Sequence, residues 1–295
     1  MATTPTFALP TTFLGTGCTD PSSRFQIAGI AFDLGVTNRA GARQGPAAIR
    51  AASRMLVDGD NPATWRDPAL AGIADIGNFA LALGDIAASM ALIEAQAAAC
   101  GHLIALGGDH TIALPLLRAL AKKQGAPLAL VHFDAHVDTW PDNFGQPIAH
   151  GSVFYHAIVE GLVDPKRMVQ IGIRSPVAKE IYQWGQDQGI TVITAEDVHL
   201  SSPMAVAEQI RAVIGAHPAY LSFDIDALDP AFAPGTGTPE VGGLATWQAM
   251  GILKRLGGLN WQGMDVVEVL PACDVSEITA LAAATVAWHY LSIVT

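Results

Sequence analysis

Eight short runs rich in β-branched and large apolar residues recur along the chain, alternating with Ala- and Leu-rich stretches of helical length, and this alternation leaves few folds open. The strand candidates are Ala28 to Phe32, Ile73 to Ile76, His102 to Leu106, Leu128 to Phe133, Met168 to Ile173, Thr191 to Ile193, Tyr220 to Ile225 and Met264 to Val269. Helix candidates lie between or after them: Pro46 to Leu56, Asp85 to Ala99, Thr111 to Lys123, Val177 to Gln188, Met204 to Ile214, Thr246 to Leu256 and Ser276 to Tyr290. Strands apolar on both faces, linked through helices, belong in a parallel sheet covered on two sides. The expectation is an α/β fold, a three-layer αβα sandwich with a mostly parallel sheet of roughly eight strands. With 295 residues, 51% of them hydrophobic, the chain can bury one large core. No repeat or linker divides it, so residues 26–295 are expected to form one catalytic domain behind an N-terminal extension, residues 1–25.

Chemistry is concentrated at the carboxyl ends of three of these runs, the edge where open α/β sheets place ligands. Leu128 to Phe133 leads into Asp134, His136 and Asp138, and Tyr220 to Phe223 leads into Asp224 and Asp226. Residues two apart share a side of an extended chain, so each set can converge. After His102 to Leu106 come Gly107, Gly108, Asp109 and His110. The glycines permit a tight turn, Asp109 suits a helix cap, and His110 is presented at the strand end.

Four aspartates gathered with two imidazoles would repel one another and lose solvation unless cations neutralised them. Two divalent ions cancel the charge of Asp134, Asp138, Asp224 and Asp226 and activate a water held between them. Oxygen and imidazole donors without thiolate favour manganese over zinc and leave nickel or cobalt open. Cys18, Cys100 and Cys273 stand far apart, with no metal or disulfide spacing.

A formal charge of −11 repels nucleic acid and anionic lipid and suits a small cationic ligand. No apolar run approaches the ~20 residues of a membrane span. Met1 to Pro10 lacks the basic and apolar regions of a secretion signal, so a cytoplasmic protein without nucleic-acid or membrane partners is expected.

These segments, Gly107 to His110, Phe133 to Asp138 and Ser222 to Pro230, closely resemble the ureohydrolase family of arginases and agmatinases, the agmatinases most of all. The similarity continues through Ala231 to Leu244, Gly41 to Arg50 and Gly263 to Thr285, and runs from about Gly29 nearly to the end. The resemblance implies a first ion held by His110, Asp134, Asp138 and Asp224, and a second by Asp134, His136, Asp224 and Asp226, with Asp134 and Asp224 bridging. It implies that Asp138 also orients the nucleophile, that Glu268 holds the guanidinium, and that His150 shuttles protons or positions substrate. It further implies a homo-oligomer, trimer or hexamer.

The implied reaction is hydrolysis of a guanidino compound to urea and an amine, with agmatine, which yields putrescine, the first candidate. Arginases usually follow the aspartate-rich motif with Ile-Asn, whereas here Thr139 and Trp140 follow Asp138. The loop Pro141 to Ala149 is reminiscent of enzymes acting on guanidino acids such as 4-guanidinobutyrate or 3-guanidinopropionate. Tyr155, however, stands where those enzymes often carry an arginine for the substrate carboxylate. Trp140 and Tyr155 are therefore expected to contact substrate beside His150 and Glu268. Two other classes are compatible with such a fold: a metal-dependent deacetylase, whose site takes one ion, and a non-catalytic subunit, which would lack ligands. His132 reads as a partner of the ligand run rather than a member, and His156 as a less favoured pocket residue.

Overall fold

In the computed structural model, which describes residues 5–295, eight strands form one open sheet. These are β1 (Phe25–Ile30), β2 (Ile73–Asn78), β3 (His102–Gly107), β4 (Leu128–Phe133), β5 (Val163–Ile173), β6 (Thr191–Thr194), β7 (Ala219–Asp224) and β8 (Trp261–Val267). Their order is β2-β1-β3-β8-β7-β4-β5-β6, and every pairing is parallel. The sheet is thus wholly parallel rather than mostly so. Parallel neighbours need crossovers, and the intervening helices supply them.

The helices are α1 (Gly45–Ser53), α2 (Ile86–Ala98), α3 (Ala113–Gln124), α4 (Val153–Val159), α5 (Lys179–Gln188), α6 (Ala195–Leu200), α7 (Pro203–Ile214), α8 (Thr246–Leu253) and α9 (Ile278–Val294). Two separate apolar clusters flank the sheet. One gathers residues of α1, α7, α8 and α9; the other gathers α2, α3 and α4. Alternate residues of a single strand divide between them: Ala129, Val131 and Phe133 of β4 face the first, while Leu128 and Leu130 face the second. That alternation is why both sides of this strand are apolar apart from His132. No helix among the described residues is long and apolar enough to cross a membrane.

Two helices, α4 and α6, fall where sequence reading expects none. Each spans two turns or less, too few to show a 3.6-residue period. The first strand runs from Phe25 to Ile30 rather than Ala28 to Phe32. Beyond Ile30 the chain is drawn toward the β3 turn, where Ile30 O and Phe32 O accept from Gly108 and Asp109 N–H. The first four residues of the expected N-terminal extension lie outside the described part. Farther along that segment Phe13 is fully buried, with its N–H bonded to Asp75 Oδ2 at 2.8 Å.

Two histidines far from the strand-end aspartates couple the fold to pH. Burial, then the charges of Arg24 and Lys123, lower His102 to about 4, and burial, then Lys254, lowers His289 to about 4. Each ring is engaged: His102 Nε2 lies 2.7 Å from Tyr290 Oη, and His289 Nδ1 accepts from Asn61 Nδ2 at 3.0 Å. Folded-state values below the unfolded value mean that unfolding takes up protons. The stabilisation is therefore complete above about pH 6.5 and is lost as pH falls toward 4. The thermal midpoint should drop over that window, and a His102→Gln/His289→Gln variant should show a visibly flatter decline; an identical slope in both proteins would contradict this assignment.

Candidate active site

Four neighbouring strands, β3-β8-β7-β4, form the middle of the sheet, and the segments leaving their carboxyl ends carry His110, Glu268, Asp224 with Asp226, and Asp134 with Asp138. At each end the backbone leaves the strand differently. After β4 the chain is irregular, and Asp138 adopts φ 47°, so the Asp134 to Asp138 segment converges through a left-handed bend rather than by continuing the strand period. After β7 a 3₁₀ turn, Ile225–Ala227, delivers Asp226, and Asp224 Oδ1 caps that turn by accepting Asp226 N–H at 2.9 Å. After β3, Gly108 has no room for a side chain: a Cβ there would lie 1.7 Å from Phe32 O. Asp109 then accepts from Thr111 and Gly35 N–H through its two oxygens, which fixes the turn that presents His110. Glu268 also sits at positive φ, 64°. Non-glycine residues in this region carry strain of order 1 kcal/mol or more, and their clustering here agrees with a functional site.

His110, Asp134, His136, Asp138, Asp224 and Asp226 form two adjoining groups. His110 Nδ1 lies 3.2 Å from Asp134 Oδ2, 3.1 Å from Asp138 Oδ2 and 3.2 Å from Asp224 Oδ2. His136 Nδ1 lies 3.2 Å from Asp134 Oδ1 and 3.0 Å from Asp226 Oδ2. Asp134 thus turns one oxygen to each group, the arrangement of a bridging carboxylate. Asp224 meets the first group only, since its other oxygen is tied to the Asp226 amide.

Electrostatics explain why these side chains need cations. His110, Asp134 and Asp226 are essentially inaccessible to solvent. Burial opposes protonation of both imidazoles, yet the surrounding carboxylates outweigh it, holding His110 well above the usual range and His136 up to about 12. Burial raises Asp224 and Asp226 as well, with Asp134 and, for Asp224, its neighbour Asp226 adding to the effect. Most telling, His110 Nδ1 is buried without a hydrogen-bond partner although three carboxylate oxygens surround it. An imidazole lone pair and carboxylate oxygens aimed at one small volume fit a divalent cation better than they fit one another.

His132 belongs beside this set rather than in it. Gln170 Nε2 donates to the Val137 carbonyl at 2.6 Å and reaches His132 Nδ1 at 3.2 Å, so that ring nitrogen is the acceptor. His132 Nε2–H therefore donates to Asp134 Oδ2, 2.7 Å away, and orients the shared carboxylate. Although His132 lies within metal-binding distance of its neighbours, both of its nitrogens are already engaged.

A cavity of about 300 Å³ opens above the two groups, lined by His136, Asp138, Asp224, His150, Trp140, Asp142, Asn143, Phe144, Thr37, Gly151, Pro176 and Thr238. His150 Nε2 meets Thr37 Oγ1 at 2.8 Å, and its Nδ1 faces Glu268 Oε1 at 3.2 Å. Burial would lower this histidine, but Glu268, Asp138 and Asp109 raise it to about 9. Glu268, 2% exposed, is not itself among the residues lining the cavity but adjoins it through His150; its Oε1 also accepts His110 N–H at 2.8 Å, while Oε2 accepts no hydrogen bond from the described residues.

Tyr155 is a correction. It does not line the cavity; its ring packs 4.9 Å from that of Trp184 on α5. The helix decides this: Phe154 takes the face of α4 that meets His110, 5.2 Å between ring centroids, and Tyr155, one residue on, is rotated away by roughly 100°. His156 is also outside the cavity and holds the Pro147 carbonyl at 2.7 Å. Thr37, Asn143 and Thr238, which sequence reading missed, line the cavity. Thr37 and Thr238 come from segments without a strand-end signature, while Asn143 stands beside Asp142 in the Pro141 to Ala149 loop.

The family model for arginases matches residues 23–292, and the chain belongs to the arginase family, whose members are binuclear metal enzymes. It is an amidinohydrolase by that membership. A Photorhabdus laumondii agmatinase is 47% identical over 272 residues, covering 90% of this chain and 85% of that one. The structure of a hypothetical agmatinase from Burkholderia thailandensis superposes with a TM-score of 0.91 at 42% identity, over 98% of this chain and 92% of that one. The proclavaminate amidino hydrolase of Streptomyces clavuligerus superposes equally well, with a TM-score of 0.91 at 35% identity over 98% of both chains.

Because Asp134 faces both groups, Asp134→Asn should release both ions on dialysis, whereas Asp226→Asn should keep the ion beside His110. Elemental analysis of manganese-loaded proteins checks this, and equal retention by the two variants would refute the shared-carboxylate arrangement.

Proposed function

We propose that this protein hydrolyses agmatine to putrescine and urea with two manganese ions, in the cytoplasm, as a homo-oligomer. The observation carrying the reading is the position of two His/Asp groups, joined through Asp134, at the floor of a cavity whose lining includes carboxylates but no lysine or arginine. Agmatine is cationic at both ends, and such a cavity suits it. The agmatinase relatives at 45–47% identity support the same substrate, and family resemblance supports a trimer or hexamer.

His110, Asp134, Asp138 and Asp224 would hold one ion and Asp134, His136 and Asp226 the other. When bound, such ions supply charge neutralisation and make water nucleophilic near neutral pH, which the resonance-stabilised guanidinium carbon requires. The chain's own groups do the rest. Glu268 pairs with the guanidinium through Oε2 while its other oxygen is pinned by the His110 amide, a charge-assisted contact that fixes the substrate carbon over Asp138. Asp138 accepts a hydrogen bond from the attacking water and orients it. As the new C–O bond forms and a C–N bond breaks, a proton must reach the departing nitrogen. His150, protonated at neutral pH through its contact with Glu268, is placed to provide one.

A guanidino-acid hydrolase is the second reading, motivated by the 141–149 loop. Urea release from agmatine, 4-guanidinobutyrate, 3-guanidinopropionate and arginine, measured beside deacetylation of acetylated polyamines, decides among the classes. Agmatine should give the highest kcat/KM; preference for a guanidino acid would refute the substrate, and deacetylation without urea would refute the chemistry. Glu268→Gln should lower kcat/KM for agmatine about 10²- to 10³-fold with metal content intact; a variant with normal kinetics would remove Glu268 from the guanidinium site.

A further inference from the structure

Both ring nitrogens of His150 are engaged. Nδ1 faces Glu268 Oε1 at 3.2 Å and Nε2 faces Thr37 Oγ1 at 2.8 Å, so among the described residues a proton leaving this ring has only these two contacts to cross. A carboxylate oxygen can only accept, and Oε1 already accepts the His110 amide as well. That contact keeps a hydrogen on Nδ1 whether the ring is charged or neutral, so the proton that comes and goes sits on Nε2. Thr37 stands in front of it.

The segment that carries Thr37 contains no helix or strand, yet it is firmly held. Gly35 N–H donates to Asp109 Oδ2 at 2.8 Å and Gly35 O accepts His150 N–H at 3.1 Å, which ties the segment both to the turn presenting His110 and to the backbone of the histidine. No side chain fits at position 35, since a Cβ there would lie 2.0 Å from Thr111 Oγ1. Asp33 accepts Gly41 N–H at 2.9 Å and Arg43 Nε–H at 2.6 Å, closing the segment around Thr37. Thr37 is exposed and lines the cavity, and its Oγ1 makes no other hydrogen bond with the described residues. A hydroxyl carries one hydrogen and two lone pairs, so while Oγ1 accepts from Nε2–H its own hydrogen is available to the cavity.

We infer that the Thr37 hydroxyl is the relay through which the His150 proton reaches the departing nitrogen of the substrate. This rests on the guanidino-hydrolase reading above. As the C–N bond breaks and its electron pair stays on nitrogen, the Thr37 hydroxyl hydrogen moves to that nitrogen and the Nε2 hydrogen of His150 moves to Oγ1. The amine leaves with its proton, Thr37 is a neutral hydroxyl before and after, and His150 ends uncharged with its hydrogen on Nδ1. One contact serves both states, with Nε2–H donating to Oγ1 at the start and the hydroxyl donating to Nε2 at the end. Although burial opposes it, Glu268, Asp138 and Asp109 keep His150 charged at neutral pH, so the donor is loaded before each turnover.

The test separates kcat from KM for agmatine in the manganese-loaded enzyme. Thr37→Val, close in shape but without a hydroxyl, should lower kcat about 10²-fold and leave KM within about twofold, and Thr37→Ala should do the same. Thr37→Ser keeps the hydroxyl and should hold kcat within about threefold of the unaltered enzyme. Because Thr37 handles the proton that His150 supplies, adding Thr37→Val to His150→Asn should slow the enzyme by less than about a further twofold. Losses that multiply in the double variant, a serine variant as slow as the valine one, or a raised KM with normal kcat each overturn the relay while leaving the hydrolase reading intact. Absence of urea from every guanidino compound with the unaltered enzyme overturns that reading instead.

Discussion

Concentrated negative charge at the carboxyl edge of four adjacent parallel strands is the constraint around which the rest of this molecule is arranged. Asp134, Asp138, Asp224 and Asp226 are buried within a few ångströms of His110 and His136. No arginine or lysine pairs with them in the ion pairs of the described residues. Such a cluster is costly to assemble, and folding can tolerate it only where a rigid framework holds it and cations relieve it. The framework is a sheet buried on both faces, and a one-residue slip of a central strand would turn each of its side chains into the opposite apolar cluster. One shared carboxylate, Asp134, then links the two halves of the cluster, and His132 with Gln170 fixes its orientation from behind.

Much of this was legible in the sequence because it follows from period and chemistry. All eight strands fall at the expected positions, with boundaries moving by a few residues, and β4 matches at both ends. The six ligand candidates stand together because each motif follows an apolar run, and the ends of adjacent parallel strands share an edge. The route of convergence was less legible. Period-two alternation was expected to align Asp134, His136 and Asp138, but the chain has already left the strand and bends through a left-handed residue. A backbone excursion of that kind has no signature in residue type when the residue is aspartate rather than glycine.

The second-rank features of the site were legible only in part, for a related reason. Trp140 lines the cavity and Tyr155 does not, although both were expected to. The difference is set by rotation about a two-turn helix too short to announce itself in the sequence. The cavity wall between residues 140 and 149 depends on a tight turn carrying phenylalanine at positive φ, where propensity points to glycine or asparagine. Local rules fail where side chains must be aimed at a ligand, and there the surrounding hydrogen bonds, not intrinsic preference, determine the conformation.

The account stands or falls on two cations sharing one carboxylate. Electron paramagnetic resonance of the manganese-loaded protein at low temperature reads this directly, because two Mn²⁺ ions joined through Asp134 must be magnetically coupled. The account predicts the spectrum of an exchange-coupled pair once two equivalents are bound. A spectrum of isolated Mn²⁺ ions at full loading, or saturation at one equivalent, would contradict it.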